Sequence, residues 1–184
     1  AAPTGKAAKV IKEKTKNEAF TIHKTIYSYN DLKEYKVEND GTETFKFYFD
    51  LNDNTHDANT VYIIDEASMI GNVNQEGEFF RFGSGKLLSD LMKYIHIDQN
   101  DHNKKIIFIG DNAQLPPIGM NFSPALSSEY FEKEFNLKCK SFELTEVMRQ
   151  SSKSGIMENS LIIRESIRKN TFNQLDINLV FEDL

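Results

Sequence analysis

An α/β fold with a parallel sheet flanked by helices is what this 184-residue sequence predicts. Val61-Tyr62-Ile63-Ile64 and Ile106-Ile107-Phe108-Ile109 are short apolar runs rich in β-branched and aromatic residues, the pattern of strands in a buried parallel sheet. Each run ends in an acid, Asp65 directly and Asp111 after Gly110. Between them Leu87, Leu88, Leu91, Met92 and Ile95 recur at helical spacing, so residues 86–97 are expected to form a crossover helix. Strand, helix and strand make one βαβ unit, for which a right-handed crossover is the rule.

The other elements follow in chain order. Lys6, Lys9, Lys12, Lys14 and Lys16 make the first stretch locally positive, either a solvated helix face or a local basic track. Residues 28–60 interrupt the α/β pattern. Within them residues 35–38 and 44–49, joined through Asn39-Asp40-Gly41, read as a β-hairpin with an Asp-Gly turn. Its alternating Phe45, Phe47 and Phe49 read as packing more readily than as a strand-separating wedge. Residues 52–60 are polar and expected to be loop. Beyond the second apolar run, a short strand is expected at residues 141–144, a helix over 154–169 and a weak strand at 177–181. No Pro/Gly-rich linker divides the chain, so residues 1–184 are expected to form one domain.

Composition narrows the function classes. Hydrophobic residues at 39% and charged residues at 27% are ordinary for a globular protein. No apolar run approaches the roughly 20 residues that span a bilayer, so no membrane partner is expected. The single cysteine, Cys139, rules out an internal disulfide and fits a cytoplasmic setting. A net charge of −6 argues against a wholly basic nucleic-acid-gripping surface.

Three stretches carry chemistry. The strand ending in Asp65-Glu66-Ala67-Ser68 presents consecutive carboxylates at the edge where open α/β sheets bind ligands. One acid there suits Mg²⁺ on nucleotide phosphates, and its neighbour suits polarisation of an attacking water. The alternative is a plain loop cap. Gly110-Asp111-Asn112-Ala113-Gln114-Leu115-Pro116-Pro117 sets Gln114 on a loop stiffened by prolines. An amide there can accept from water and donate to a phosphate oxygen, as a γ-phosphate sensor must. Arg149, after Phe142-Glu143-Leu144-Thr145-Glu146-Val147-Met148, could clamp a phosphate bidentately or lie on the surface. Pro3-Thr4-Gly5-Lys6-Ala7-Ala8 is superficially like the end of a Walker A loop. It lacks the leading glycine, and Ala7 stands where a Mg²⁺-binding hydroxyl belongs.

Five motifs in one order resemble superfamily-one DNA helicases of the RecD/Dda type. They are Ala2-Pro3-Thr4-Gly5-Lys6-Ala7-Ala8, Thr21-Ile22-His23-Lys24, Ile63-Ile64-Asp65-Glu66-Ala67-Ser68-Met69, Gly110-Asp111-x-x-Gln114-Leu115-Pro116-Pro117-Ile118-Gly119 and Leu144-Thr145-Glu146-Val147-Met148-Arg149-Gln150. The resemblance runs from residue 2 to about residue 150. It implies a RecA-like P-loop NTPase fold, incomplete here and carrying the hairpin as an insertion. Asp65 would hold Mg²⁺ with ATP, Glu66 would activate water, Gln114 would sense the γ-phosphate and Arg149 would contact it. Pro3, Thr4, Gly5, Lys6, Thr21 and His23 would contact single-stranded DNA.

The resemblance further implies 5′-to-3′ movement along that strand, driven by ATP hydrolysis, with repair, recombination and conjugation all open as settings. The family's phosphate-binding loop and second motor domain have no counterpart in the sequence, so the expectation is a motor fragment inactive by itself. Two rivals stand beside this: a DNA-binding or regulatory module without catalysis, and the motor part of a relaxase or exodeoxyribonuclease subunit.

Overall fold

The computed structural model describes residues 1–39, 42–99, 103–146, 155–171 and 177. The chain divides into two compact units, Ala1–Lys140 and Ser141–Leu184.

The first unit opens with α1 (Gly5–Thr15), capped by the Thr4 hydroxyl, which accepts from the Ala7 amide at 3.2 Å. Lys6, Lys9, Lys12 and Lys14 are exposed on it, and Lys9 pairs with Glu13 at 3.9 Å, so this run has a solvated helix face. A short α2 (Ile22–Ile26) is capped in the same way by Thr21. Its last residue leads straight into β1 (Tyr27–Asn39), which pairs antiparallel with β2 (Thr42–Leu51). The hairpin is therefore longer than the span expected from its Asp-Gly signal; the turn residues Asp40 and Gly41 lie outside the described residues.

β3 (Val61–Ile64) ends at the acid pair. A three-residue strand, β4 (Phe80–Phe82), then adds parallel to β2, with Phe47 opposite Phe80 and Phe49 opposite Phe82. Next come α3 (Leu87–Ile95) and β5 (Lys105–Phe108). β5 pairs with β3 in parallel register, Val61 to Lys105 through Ile64 to Phe108, so the expected strand–helix–strand unit is present. The last helix of this unit is α4 (Ser128–Phe135).

Period-two burial along β3 sets the core. Tyr62 and Ile64 face inward, into the cluster that holds Ile22, Ile26, Leu88, Leu91 and Ile95. Val61, Ile63, Ile107 and Ile109, on the opposite side, are about half exposed (46% to 52%). Parallel sheets are usually covered on both faces, and this one leaves an apolar face open.

The second unit contains α5 (Gly155–Lys169), close to the helix expected over 154–169. The strand expected at 141–144 does not form. Phe142 and Leu144 are 87% and 95% exposed, and an extended segment without a partner strand has no ladder to join. Ile177 has no regular structure, and the rest of the strand expected at 177–181 lies outside the described residues.

Candidate nucleotide and nucleic-acid sites

Four segments line up at one edge of the sheet. Ala1 donates its amine to the Ile63 carbonyl at 2.6 Å and accepts from the Asp65 amide at 3.0 Å, the bonding pattern of a parallel pair. On its far side Ala2 forms a parallel bridge with Thr21, donating to Phe20 at 3.2 Å and accepting from Ile22 at 2.9 Å. On the other flank β3 pairs with β5. The order is thus Thr21, Ala2, β3, β5, and all four run the same way. The residues immediately following each lie at the carboxyl edge: His23, then Thr4 to Lys6, then Asp65 and Glu66, then Gly110 to Gln114.

Asp65 and Glu66 are half-buried. The Asp65 carboxylate accepts from the Glu66 amide at 3.0 Å, and Glu66 adopts left-handed φ and ψ of 54° and 38°. That conformation is disfavoured for a residue with a β-carbon, and such strain concentrates at functional sites. The loop after β5 is pressed against this turn. Ala67 donates to the Ile109 carbonyl at 2.8 Å, and Ser123 Oγ donates to the Ser68 carbonyl at 3.0 Å. Gly110 passes so near that an added Cβ would lie 2.9 Å from the Ser68 nitrogen. Further along, a Cβ added at Gly71 would lie 3.0 Å from Pro117 Cβ, and Gln75 donates to the Ile118 carbonyl at 3.1 Å. Asp111 shapes the intervening turn, its carboxylate accepting from the Ala113 amide at 2.9 Å and its carbonyl from the Gln114 amide at 3.0 Å. The Gln114 side chain is exposed on that loop.

This arrangement fits Mg²⁺ carried in by a nucleotide. No group of three or more His, Cys, Asp or Glu side chains among the described residues can cage a metal unaided. Mg²⁺ commonly takes one or two carboxylates, with waters and substrate phosphates completing its octahedron. Asp65 can supply the carboxylate; when bound, the ion would neutralise phosphate charge.

At the other two segments, Thr4 and Thr21 use their hydroxyl oxygens as helix caps. Gly5 is exposed, and nothing lies within 4 Å of where its Cβ would be, so another backbone can approach closely. Lys6 is exposed beside it. His23 is different. Its ring packs edge-on against Phe82 at 5.2 Å and tilted against Tyr27 at 5.5 Å. Burial lowers its pKa, partly offset by the nearby Asp90 charge, so the ring is neutral at pH 7. Phe82 was not singled out in the sequence, because a three-residue strand between polar loops leaves no periodic signal. Arg149 lies outside the described residues.

Among the described residues, no helix is long and apolar enough to cross a membrane. Comparison with curated proteins and with solved structures gives no match. The family model described as an AAA domain matches residues 1–120, which covers both sheet flanks, the acid pair and Gln114. That span is more than half of the chain and supports a nucleotide-binding P-loop NTPase, helicase-like assignment. The chain belongs to the AAA domain family.

Proposed function

We propose that this chain is part of the first RecA-like motor domain of an ATP-dependent DNA helicase of the RecD/Dda type. The observation that carries the reading is the shared carboxyl edge. There the parallel pairing of Ala2, Thr21, β3 and β5 aligns the two candidate DNA segments with the acid pair and the Gln114 loop. A motor must join a nucleotide site to a strand-binding site, and a common sheet edge is a short, stiff link between them.

On this reading Asp65 takes Mg²⁺ with ATP, Glu66 orients and deprotonates the attacking water, and Gln114 reads the γ-phosphate. Arg149 adds charge to the same phosphate. Thr4, Gly5, Lys6, Thr21 and His23, with Pro3 stiffening the first turn, hold the backbone of single-stranded DNA without reading bases. The neutral, apolar setting of His23 suits a packing or hydrogen-bonding contact better than a cationic one. No Gly-x-x-x-x-Gly-Lys-Ser/Thr occurs in the 184 residues, so the phosphate-cradling loop is assigned to another stretch of polypeptide.

A tailed-duplex assay on the full-length gene product tests this. Mg-ATP should drive unwinding of 5′-tailed but not 3′-tailed DNA. Absence of unwinding and of DNA-stimulated ATP turnover, with single-strand affinity intact, favours the non-catalytic binding module.

The hairpin has two readings. Phe49 is 9% exposed and stacks on Phe82 at 4.7 Å with ring planes 9° apart; Phe47 stacks on Phe80 at 5.8 Å. Rings whose faces already meet one another favour packing over the wedge.

A further inference from the structure

One buried carboxylate takes no part in the nucleotide reading. Asp90 lies on α3, between the strand bearing the acid pair and the strand leading to Gln114, and is 4% exposed. It is ringed by donors. Tyr27 Oη donates to Oδ2 at 2.7 Å, Ser84 Oγ to Oδ1 at 2.7 Å, and the Ser84 amide to Oδ2 at 3.0 Å and Oδ1 at 3.3 Å. Gly83, at φ +48°, crosses so closely that an added Cβ would sit 2.3 Å from Oδ2 and 2.8 Å from the Tyr27 ring. The carboxylate therefore ties α3 and the turn just before it to the first residue of β1, 63 positions earlier in the sequence.

An apolar side chain could fill this space with less desolvation, but it could not fix the direction of the Tyr27 hydroxyl. That direction has consequences. Tyr27 is the root of the hairpin and also the ring on which His23 leans, and both rings meet Phe82, at 5.3 Å and 5.2 Å. A change at Asp90 reaches His23 through one hydrogen bond and one ring contact, and also directly through the carboxylate's charge, an effect that Tyr27→Phe leaves in place.

We propose that Asp90 is a positioning residue: through Tyr27 it holds the hairpin root and the His23 ring in register with α3. Single-stranded DNA affinity then depends on a carboxylate that does not touch DNA. The inference rests on the DNA reading of Thr21 and His23 given above.

The test uses the full-length gene product, a fluorescent oligothymidine, and side-chain NMR of His23. Asp90→Asn and Tyr27→Phe should each weaken binding by roughly five- to tenfold, the scale of one hydrogen bond's net contribution. In a His23→Ala background both effects should vanish, because contacts that act through one residue are not additive. The His23 ring resonances should shift in both variants.

An Asp90→Asn penalty that persists unchanged in the His23→Ala background overturns the proposal, as does wild-type affinity in both variants. Should Asp90→Asn fail to fold, Tyr27→Phe, which removes one hydroxyl, carries the same prediction. A wild-type chain with no affinity for the oligonucleotide defeats the DNA reading instead. The ring resonances then decide alone, and unshifted signals in Tyr27→Phe refute the positioning role.

Discussion

Gly110 and Ser68 approach so closely that a single methyl group cannot be placed between them: a Cβ on Gly110 would lie 2.9 Å from the Ser68 nitrogen and 3.2 Å from the Ala67 nitrogen. Both contacts are backbone, so neither can swing aside. This is where the loop bearing Gln114 leaves β5 and meets the turn bearing Asp65 and Glu66. The separation of the two halves of the candidate nucleotide site is set here.

Gly110→Ala should therefore destabilise the chain by about 1–3 kcal/mol, the usual cost of overpacking a fitted contact. Urea denaturation of the two proteins measures it. On the proposed function, the same substitution should lower ATP turnover in the full-length gene product by more than the loss of folded protein explains, because it displaces Gln114 from the acid pair.

Glu66 offers a separation of stability from chemistry. Its left-handed φ of 54° is tolerated by glycine and resisted by any residue with a β-carbon. Glu66→Gly should be more stable than Glu66→Ala by about 1 kcal/mol. Both should abolish hydrolysis if Glu66 is the general base. Thermal melts and turnover assays on the pair check the two halves of this statement independently.

The His23 environment predicts a pH dependence. Its pKa is depressed from 6.5 by burial, with Asp90 acting in the opposite direction. The unfolded chain therefore binds the proton more readily than the folded one. His23 contributes full stability above about pH 6.5, and that contribution is lost as pH falls through the lower folded value. Denaturation midpoints from pH 7.5 down to pH 5 should fall less steeply for His23→Gln than for wild type. Equal slopes would show that the ring is not held neutral.

Lys6 is the cleanest probe of strand binding, since Thr4 and Thr21 also cap helices and their removal costs about 1 kcal/mol of stability each. Lys6→Ala should weaken single-stranded DNA binding for every sequence tested. It should also reduce the slope of log affinity against log salt by about 0.7, the signature of one lost phosphate contact on a single strand. A salt titration by fluorescence anisotropy reads this directly.

The parts of the fold legible in the sequence are those whose signal is local. β3 was readable as four consecutive apolar, β-forming residues, Val61 to Ile64, and α3 because Leu88, Leu91 and Ile95 share one helix face. β4 was not readable. It has three residues, and its parallel partner β2 lies some thirty residues earlier, so nothing in its own neighbourhood distinguishes it from loop. The error at residues 141–144 has the same root: alternating Phe142 and Leu144 look strand-like, but a strand exists through a partner. For the candidate site, the acids and Gln114 were visible as chemistry at strand ends. The aromatic nest around His23 was invisible because Phe82 comes from that unforeseen strand, and nothing next to Asp90 in the sequence marks its burial against Tyr27.

The most direct test of the central claim is DNA-stimulated ATP hydrolysis by the full-length gene product, wild type against Glu66→Gln, with single-strand affinity measured on both. Robust turnover in the wild type, its loss in Glu66→Gln, and undiminished DNA affinity in the variant are expected. Turnover that survives Glu66→Gln, or a wild type that binds single-stranded DNA and hydrolyses nothing, contradicts that claim.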